Sequence, residues 1–180
     1  MRVIAGAVKG RKLKSIEGSG TRPTTDRVKE SVFNIIQFDI EGRNVLDLFA
    51  GTGQMGIEAL SRGAVSAVFV DQKKEAVRAV TDNIALTGYG DSAEVIQQDA
   101  LVFLSGCEKK FELIFLDPPY DSGLLKKSLK AIATFDILSI SGIIVCETSA
   151  ESVLPEINEP LVHLRDYIYG KTRISIISRK

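Results

Sequence analysis

Tryptophan is absent from the 180 residues, histidine occurs once and cysteine twice. A zinc site usually takes four nitrogen or sulfur ligands, so this inventory gives no expectation of a metal. Cys107 and Cys146 read as structural; Cys146 sits inside "GIIVCET", where a small buried hydrophobe fits. The single histidine, His163 in "LVHLRDY", has no serine partner at a motif-like position, which argues against a hydrolase triad. Long apolar runs are also missing: the longest are pieces such as "LIFL" and "IIVC", far below the roughly 18 residues of a membrane span. The N-terminus "MRVIAGAVKGRKLK" turns basic before a signal-peptide core could form, so a cytoplasmic protein is expected.

Net charge is absent too, with 23 basic and 23 acidic residues, but the balance is uneven along the chain. Residues 1–30 carry eight basic side chains against three acidic ones, leaving fifteen against twenty in the remainder. A basic arm on an acidic body, with Lys9, Arg11 and Lys12 among its charges, suits either a polyanion held at one end or a solvated tail. Within the arm, "RVIAG" and "KLKSI" suggest a small hairpin. The pattern from Thr25 onward places Val28, Val32, Ile35 and Ile36 on one helical face, with Pro23, Thr24 and Thr25 as start signals.

After Gly42 short apolar runs alternate with helical segments. Strands are expected at Asn44–Phe49, Ala67–Asp71, Ala93–Gln97, Glu112–Asp117 and Gly142–Glu147, with helices at Met55–Arg62, Lys74–Leu86, Leu101–Leu104 and Leu124–Phe135. Nearly continuous apolar strands separated by helices indicate a parallel sheet covered on both faces. "LVHLRDYIY" and "TRISIIS" flank Gly170-Lys171 as an antiparallel hairpin with a two-residue turn. The expected fold is α/β: a doubly wound, Rossmann-like sheet (residues 25–180) with an antiparallel finish, preceded by a basic extension (residues 1–24).

Between the first strand and helix stands Gly51-Thr52-Gly53-Gln54-Met55-Gly56, a G-x-G-x-x-G in its required strand–loop–helix setting. Asp71 ends the next strand, where a carboxylate can accept from both hydroxyls of a ribose. An adenosine-containing ligand is therefore expected. A dinucleotide would bring its pyrophosphate to the helix N-terminus, close to the carboxylate of Asp47. S-adenosylmethionine instead carries a sulfonium and an ammonium, which a carboxylate attracts. Asp99 closes a third strand; it suits either the adenine amino group or a simple helix N-cap.

The fourth strand ends in Asp117-Pro118-Pro119-Tyr120. Two prolines lack backbone N–H groups and restrict the residues before them, so this end is rigid. Asp117 and the Pro118 carbonyl then become two fixed acceptors for the two N–H groups of a planar exocyclic amine, while Tyr120 offers a stacking face. Charge-assisted bonds of this kind are worth about 1.5–3 kcal/mol each, and stacking on a base about 1–3 kcal/mol. Such a cradle aims an amine nitrogen at a methyl sulfonium, and the transfer needs alignment more than acid–base chemistry. The motif specifies an amine without choosing among adenine, cytosine and guanine.

"RPTTDRVKESVFNII", "VLDLFAGTGQMGIEALSRGA" and "IFLDPPY", with the opening "MRVIAGAVKGRKL", resemble the RsmD family of small-subunit (16S) ribosomal RNA guanine-N2 methyltransferases. The resemblance spans essentially the whole chain. It implies a class I methyltransferase fold with S-adenosylmethionine as donor, and 16S rRNA, in the small ribosomal subunit or an assembly intermediate, as partner. The cofactor set is then Asp47, Phe49, Ala50, Gly51, Gly53, Asp71 and Asp99. Asp117, Pro118, Pro119 and Tyr120 belong at the target amine, and Arg22, Thr24, Asp26 and Arg27 beside the active site, next to the arm's Lys9, Arg11 and Lys12. A monomer is expected. Gln54-Met55 departs from the smaller or more polar pair the family often has. Rival readings are an amine methyltransferase acting on DNA adenine or protein glutamine, and an NAD-binding oxidoreductase. The short segment after Tyr120 and the lack of an acid–base pair disfavour them.

Overall fold

A computed structural model describes residues 1–16, 26–119 and 122–180. Tyr120, Arg22 and Thr24, together with the expected helix-start signals, lie outside the described residues. The first helix, α1 (Asp26–Ile35), leads to a seven-stranded sheet: β1 (Asn44–Asp47), β2 (Ser66–Asp71), β3 (Ala93–Gln97), β4 (Phe111–Leu116), β5 (Leu138–Ser149), β6 (Leu161–Tyr169) and β7 (Thr172–Arg179). Between strands run α2 (Gln54–Ser61), α3 (Lys74–Thr87), α4 (Ala100–Gly106) and α5 (Leu124–Thr134). The strand order is β3-β2-β1-β4-β5-β7-β6. Strands β3 to β5 are parallel, and β7 joins β5 antiparallel.

Two apolar layers explain this arrangement. Val45, Phe69, Leu113, Phe115 and Val145 point to one face, where Val32 and Phe33 of α1, Ile36 just past its end, Ile57 of α2 and Val80 of α3 cover them. Leu46, Val70, Ile114, Leu116 and Ile144 point to the other, against Phe103 and Leu104 of α4 and Leu129 and Ile132 of α5. Successive residues of β1 and β4 thus serve opposite cores, as the period of two in a strand requires, and both faces are dry. The expected hairpin forms with Tyr169 opposite Thr172 across Gly170-Lys171, Gly170 taking a φ of 60°. Among the described residues no helix is long and apolar enough to cross a membrane.

The last parallel strand starts earlier than expected. It begins at Leu138 rather than Gly142, and six residues of β5 (Leu138 to Ile143) run opposite three of β4 (Phe111 to Leu113). Ser141 sits at a φ of 63° within this bulge, and a side chain at Gly142 would meet the Leu138 side chain at 2.8 Å. Local turn geometry hides the pairing from the apolar pattern. The buried face of α1 is shifted from the expected one: Val32 and, just past the helix, Ile36 are buried, Val28 and Ile35 are half-buried, and Phe33 and the charged Lys29 are buried as well.

Arg2 and Lys12 of the N-terminal arm form an antiparallel bridge, supported by Val3 N–H donating to the Arg11 carbonyl at 2.9 Å. Val3 and Leu13 enter the same core as α1. Gly6 lies so close to the end of α2 that a Cβ there would fall 1.8 Å from the Ser61 carbonyl oxygen, and its φ is 82°. The backbone N–H groups of Ile4 and Ala5 donate to the two oxygens of Glu58, at 2.8 and 2.9 Å.

Candidate active site

The sheet reverses its strand order between β1 and β4, and ligands of open α/β sheets lie beyond the carboxyl ends of strands at that point. There the chain brings together the glycine loop after β1 and the proline turn after β4. The two strands stay paired to the rim: Leu48 N–H, one residue past β1, donates to the Phe115 carbonyl at 3.2 Å.

The loop is held at several points. Ala50 N–H donates to the Val70 carbonyl at 3.0 Å and Gly53 N–H to the Ala50 carbonyl at 2.7 Å. Gly51 N–H donates to Asp71 Oδ2 at 3.0 Å, while Asp71 Oδ1 takes the Lys73 N–H at 2.9 Å. Gly51 and Gly53 adopt φ of 55° and 75°, which only glycine enters freely. A Cβ on Gly51 would meet nothing within 4 Å, so the loop backbone is open on that side. At Gly56 a Cβ would stand 2.3 Å from the Phe69 ring, which is why helix α2 can lie so close to the sheet. Ala50 is buried and Phe49 half-buried beside the loop.

Asp47, at the end of β1, is buried and accepts the Gly56 N–H at 3.1 Å, satisfying one of the free donors of the first turn of α2. Loss of hydration pushes its pKa up to about 7; the Gly56 bond works against that rise and the Asp71 charge adds to it. Asp117 lies within reach of the same field. The residue is exposed at the rim, but protein around its carboxyl removes part of its hydration. That desolvation raises its pKa well above the usual range, and the charges of Glu147 and then Asp47 push it further. Pro118 is buried and Pro119 exposed, with the Pro119 carbonyl accepting from Ser122 Oγ at 2.6 Å. Ser122 Oγ in turn accepts from Leu124 N–H at 3.3 Å, which ties the turn to the start of α5. Asp99 caps α4: its Oδ1 accepts from Leu101 and Val102 N–H at 2.9 and 3.1 Å.

Four acids thus stand at or near the carboxyl ends of neighbouring parallel strands: Asp47 feels the charge of Asp71, and Asp117 feels those of Glu147 and Asp47. Such a site favours a cation and opposes a pyrophosphate. With the open glycine backbone beside it, this donor set fits S-adenosylmethionine, whose sulfonium and ammonium are both positive. Sequence reasoning missed Glu147, seeing only the last residue of a strand. The available signal was position: it is another acid at a carboxyl end of the parallel sheet.

Of the expected nucleic-acid contacts, Lys9, Arg11 and Lys12 are exposed on the arm. Asp26 pairs with Arg2 at 3.5 Å, and Arg27 is exposed on the first turn of α1. Lys29 departs from the picture of a basic surface. It is fully buried, its Nζ donates to the Arg2 carbonyl at 2.5 Å, and it stands 3.4 Å from Glu58. On the far hairpin, His163 Nε2 lies 2.8 Å from Asp166 Oδ1, away from the crevice.

Residues 1–178 match the family described as conserved hypothetical protein 95. The chain is 44% identical to "Putative rRNA methyltransferase YlbH" of Bacillus subtilis, over all of both sequences. It is 32% identical to "Ribosomal RNA small subunit methyltransferase D" of Escherichia coli, over 100% of this chain and 90% of the relative. Among solved structures, "Putative methyltransferase yhhF" from Escherichia coli superposes with a TM-score of 0.91 at 30% identity, covering 100% of this chain and 98% of the other.

Proposed function

The chain belongs to this family, the RsmD family of methyltransferases, and from that premise we propose that it methylates the exocyclic N2 amine of a guanine in 16S rRNA. Small ribosomal subunits or an assembly intermediate would be the substrate, met in the cytoplasm by a monomeric enzyme. The observation that carries the reading is the pairing of β1 with β4, which brings the open glycine loop and the Asp-Pro-Pro turn to one edge of the sheet, among strand-ending acids. The relatives named as rRNA methyltransferases support RNA as the acceptor.

S-adenosylmethionine supplies an electrophilic methyl group when bound. Asp47 and the loop from Phe49 to Gly53 would hold the amino-acid end, Asp71 the ribose and Asp99 the adenine side. Binding a cation beside Asp47 favours its ionised form and lowers the pKa that burial has raised. Asp117 and the Pro118 carbonyl would accept the two N–H groups of the target amine, orienting the nitrogen for in-line attack. Pro119 keeps that turn rigid, and Tyr120 would stack on the base. Lys9, Arg11 and Lys12, with Arg22, Thr24, Asp26 and Arg27, would hold the RNA strand and place its base at the crevice.

Incubating unmethylated small subunits with the enzyme and methyl-labelled S-adenosylmethionine, then analysing nucleosides by mass spectrometry, tests this directly. Label on N2-methylguanosine is expected. Label on another nucleoside, or on protein alone, overturns the assignment.

A further inference from the structure

Asn83, on α3, is fully buried and lies outside the groups assigned to either ligand above. Its amide makes three hydrogen bonds, all to segments distant in sequence. Oδ1 accepts from the Lys14 N–H at 2.7 Å, Nδ2 donates to the Lys14 carbonyl at 3.1 Å, and Nδ2 donates again to the Thr52 carbonyl at 2.9 Å. The first two bonds copy what a neighbouring strand would offer, closing both backbone groups of one arm residue. The third grips the glycine loop between Gly51 and Gly53. A parallel contact joins the same two parts: Thr52 Oγ1 lies 3.4 Å from Met1 Sδ. Lys14 also pairs its ammonium with Asp82, the neighbour of Asn83, at 2.9 Å, although both side chains there are exposed and the pair adds little.

We infer that Asn83 is a positioning residue that links RNA held by the arm to cofactor held by the glycine loop, so that each ligand tightens the other. This rests on the ligands assigned under Proposed function. The two-state element is the arm segment at Lys14, docked or detached. The arm's further anchors, Leu13 in the core next to Lys14 and Glu58 with the Ile4 and Ala5 N–H groups, do not depend on Asn83. When Lys14 detaches, the buried amide loses two of its three bonds, and a buried polar group left unmatched is unfavourable. The amide then turns to other partners and the Thr52 carbonyl loses its fixed position. RNA on the exposed Lys9, Arg11 and Lys12 favours the docked arm, and a cofactor on the ordered loop favours the same state. A state shared by two ligands makes their affinities rise together, by the same factor in each direction.

Equilibrium dialysis of labelled S-adenosylmethionine, with and without unmethylated small ribosomal subunits, measures that factor. In the wild-type protein the subunits are expected to tighten cofactor binding by about 5- to 150-fold, the usual span of such coupling. Asn83→Leu, close in size and without polar groups, should bring the factor to about 1, with affinity for the subunits alone changed no more than a few-fold. Asn83→Asp, which keeps the acceptor for Lys14 N–H and removes both donated bonds, serves if the leucine variant does not melt cooperatively, and the same collapse is expected. A wild-type factor of 1, or an undiminished factor in a folded variant, overturns the inference. Failure of the wild-type protein to bind the cofactor at all would instead overturn the function proposed above.

Discussion

Two buried acids in this molecule live in opposite circumstances. Glu58 is fully buried under the arm, and its carboxylate accepts from the N–H groups of Ile4 and Ala5 and from Arg62 Nε at 2.9 Å, with Lys29 Nζ at 3.4 Å. Every oxygen has a donor, and two cations face the one negative charge. Asp47, at the end of β1, is buried with one backbone bond and faces other carboxylates. The first arrangement fixes a segment of chain; the second stores an unmet demand for positive charge, as a site prepared for a cationic ligand should. Burial alone does not mark a functional acid. The balance of partners does.

The comparison breaks most sharply at the chemistry itself. Asp117→Ala should reduce methyl transfer to background while S-adenosylmethionine affinity stays within a few-fold, measured by single-turnover transfer and calorimetry on the same preparation. Equal loss of both would make Asp117 a structural or cofactor group. On the compensated side, Glu58→Ala leaves the Lys29 ammonium buried without its partner. Breaking a buried pair in this way costs about 3–5 kcal/mol, which denaturant titration would read as an earlier midpoint. A loss below about 1 kcal/mol would mean that the pair is dispensable.

A smaller effect separates Asp47 from Glu58 by pH. Because the Asp47 pKa is raised to about 7, the proton competes with a cationic ligand there. Cofactor affinity should therefore rise as pH increases through about 7 and level off above it. In the same window the group works against the free protein: a carboxyl whose folded pKa is raised loses stability as pH climbs from its unfolded value towards 7. Asp47→Asn should flatten the affinity profile, and a profile of unchanged slope would assign the titration elsewhere. The smallest effect concerns the arm's surface. Neutralising Lys9, Arg11 and Lys12 together should weaken RNA binding and reduce its dependence on salt concentration, since fewer counterions are released. An unaltered salt slope would remove the arm from the RNA contact.

Much of the fold could be read from apolar rhythm. The alternation after Gly42 located each parallel strand to within a few residues. The early start of β5 escaped because three extra residues around Ser141 interrupt the pattern, and a bulge leaves no periodic trace. At the site, Gly51, Gly53, Asp71 and Asp117 stood out because strand–loop punctuation marks the rim of a parallel sheet. Asp99 was readable as a cap for the same reason, and the cap is what its geometry displays.

By itself the sequence determined which residues could serve: strand-ending acids, a loop only glycine can form, and two prolines that stop a strand. These are local properties, set by backbone sterics and by hydrogen-bonding groups within a few positions. Only the tertiary structure decided which charges are answered. Lys29, counted in sequence with the basic arm, turns inward to Glu58 nearly thirty residues away, while Asp117 and Glu147 meet because β4 and β5 run side by side. Asn83 acquires its place only when the arm and the glycine loop both fold against α3. Electrostatic and hydrogen-bond partnership depends on distance in space, and chain separation says little about it until the sheet has assembled.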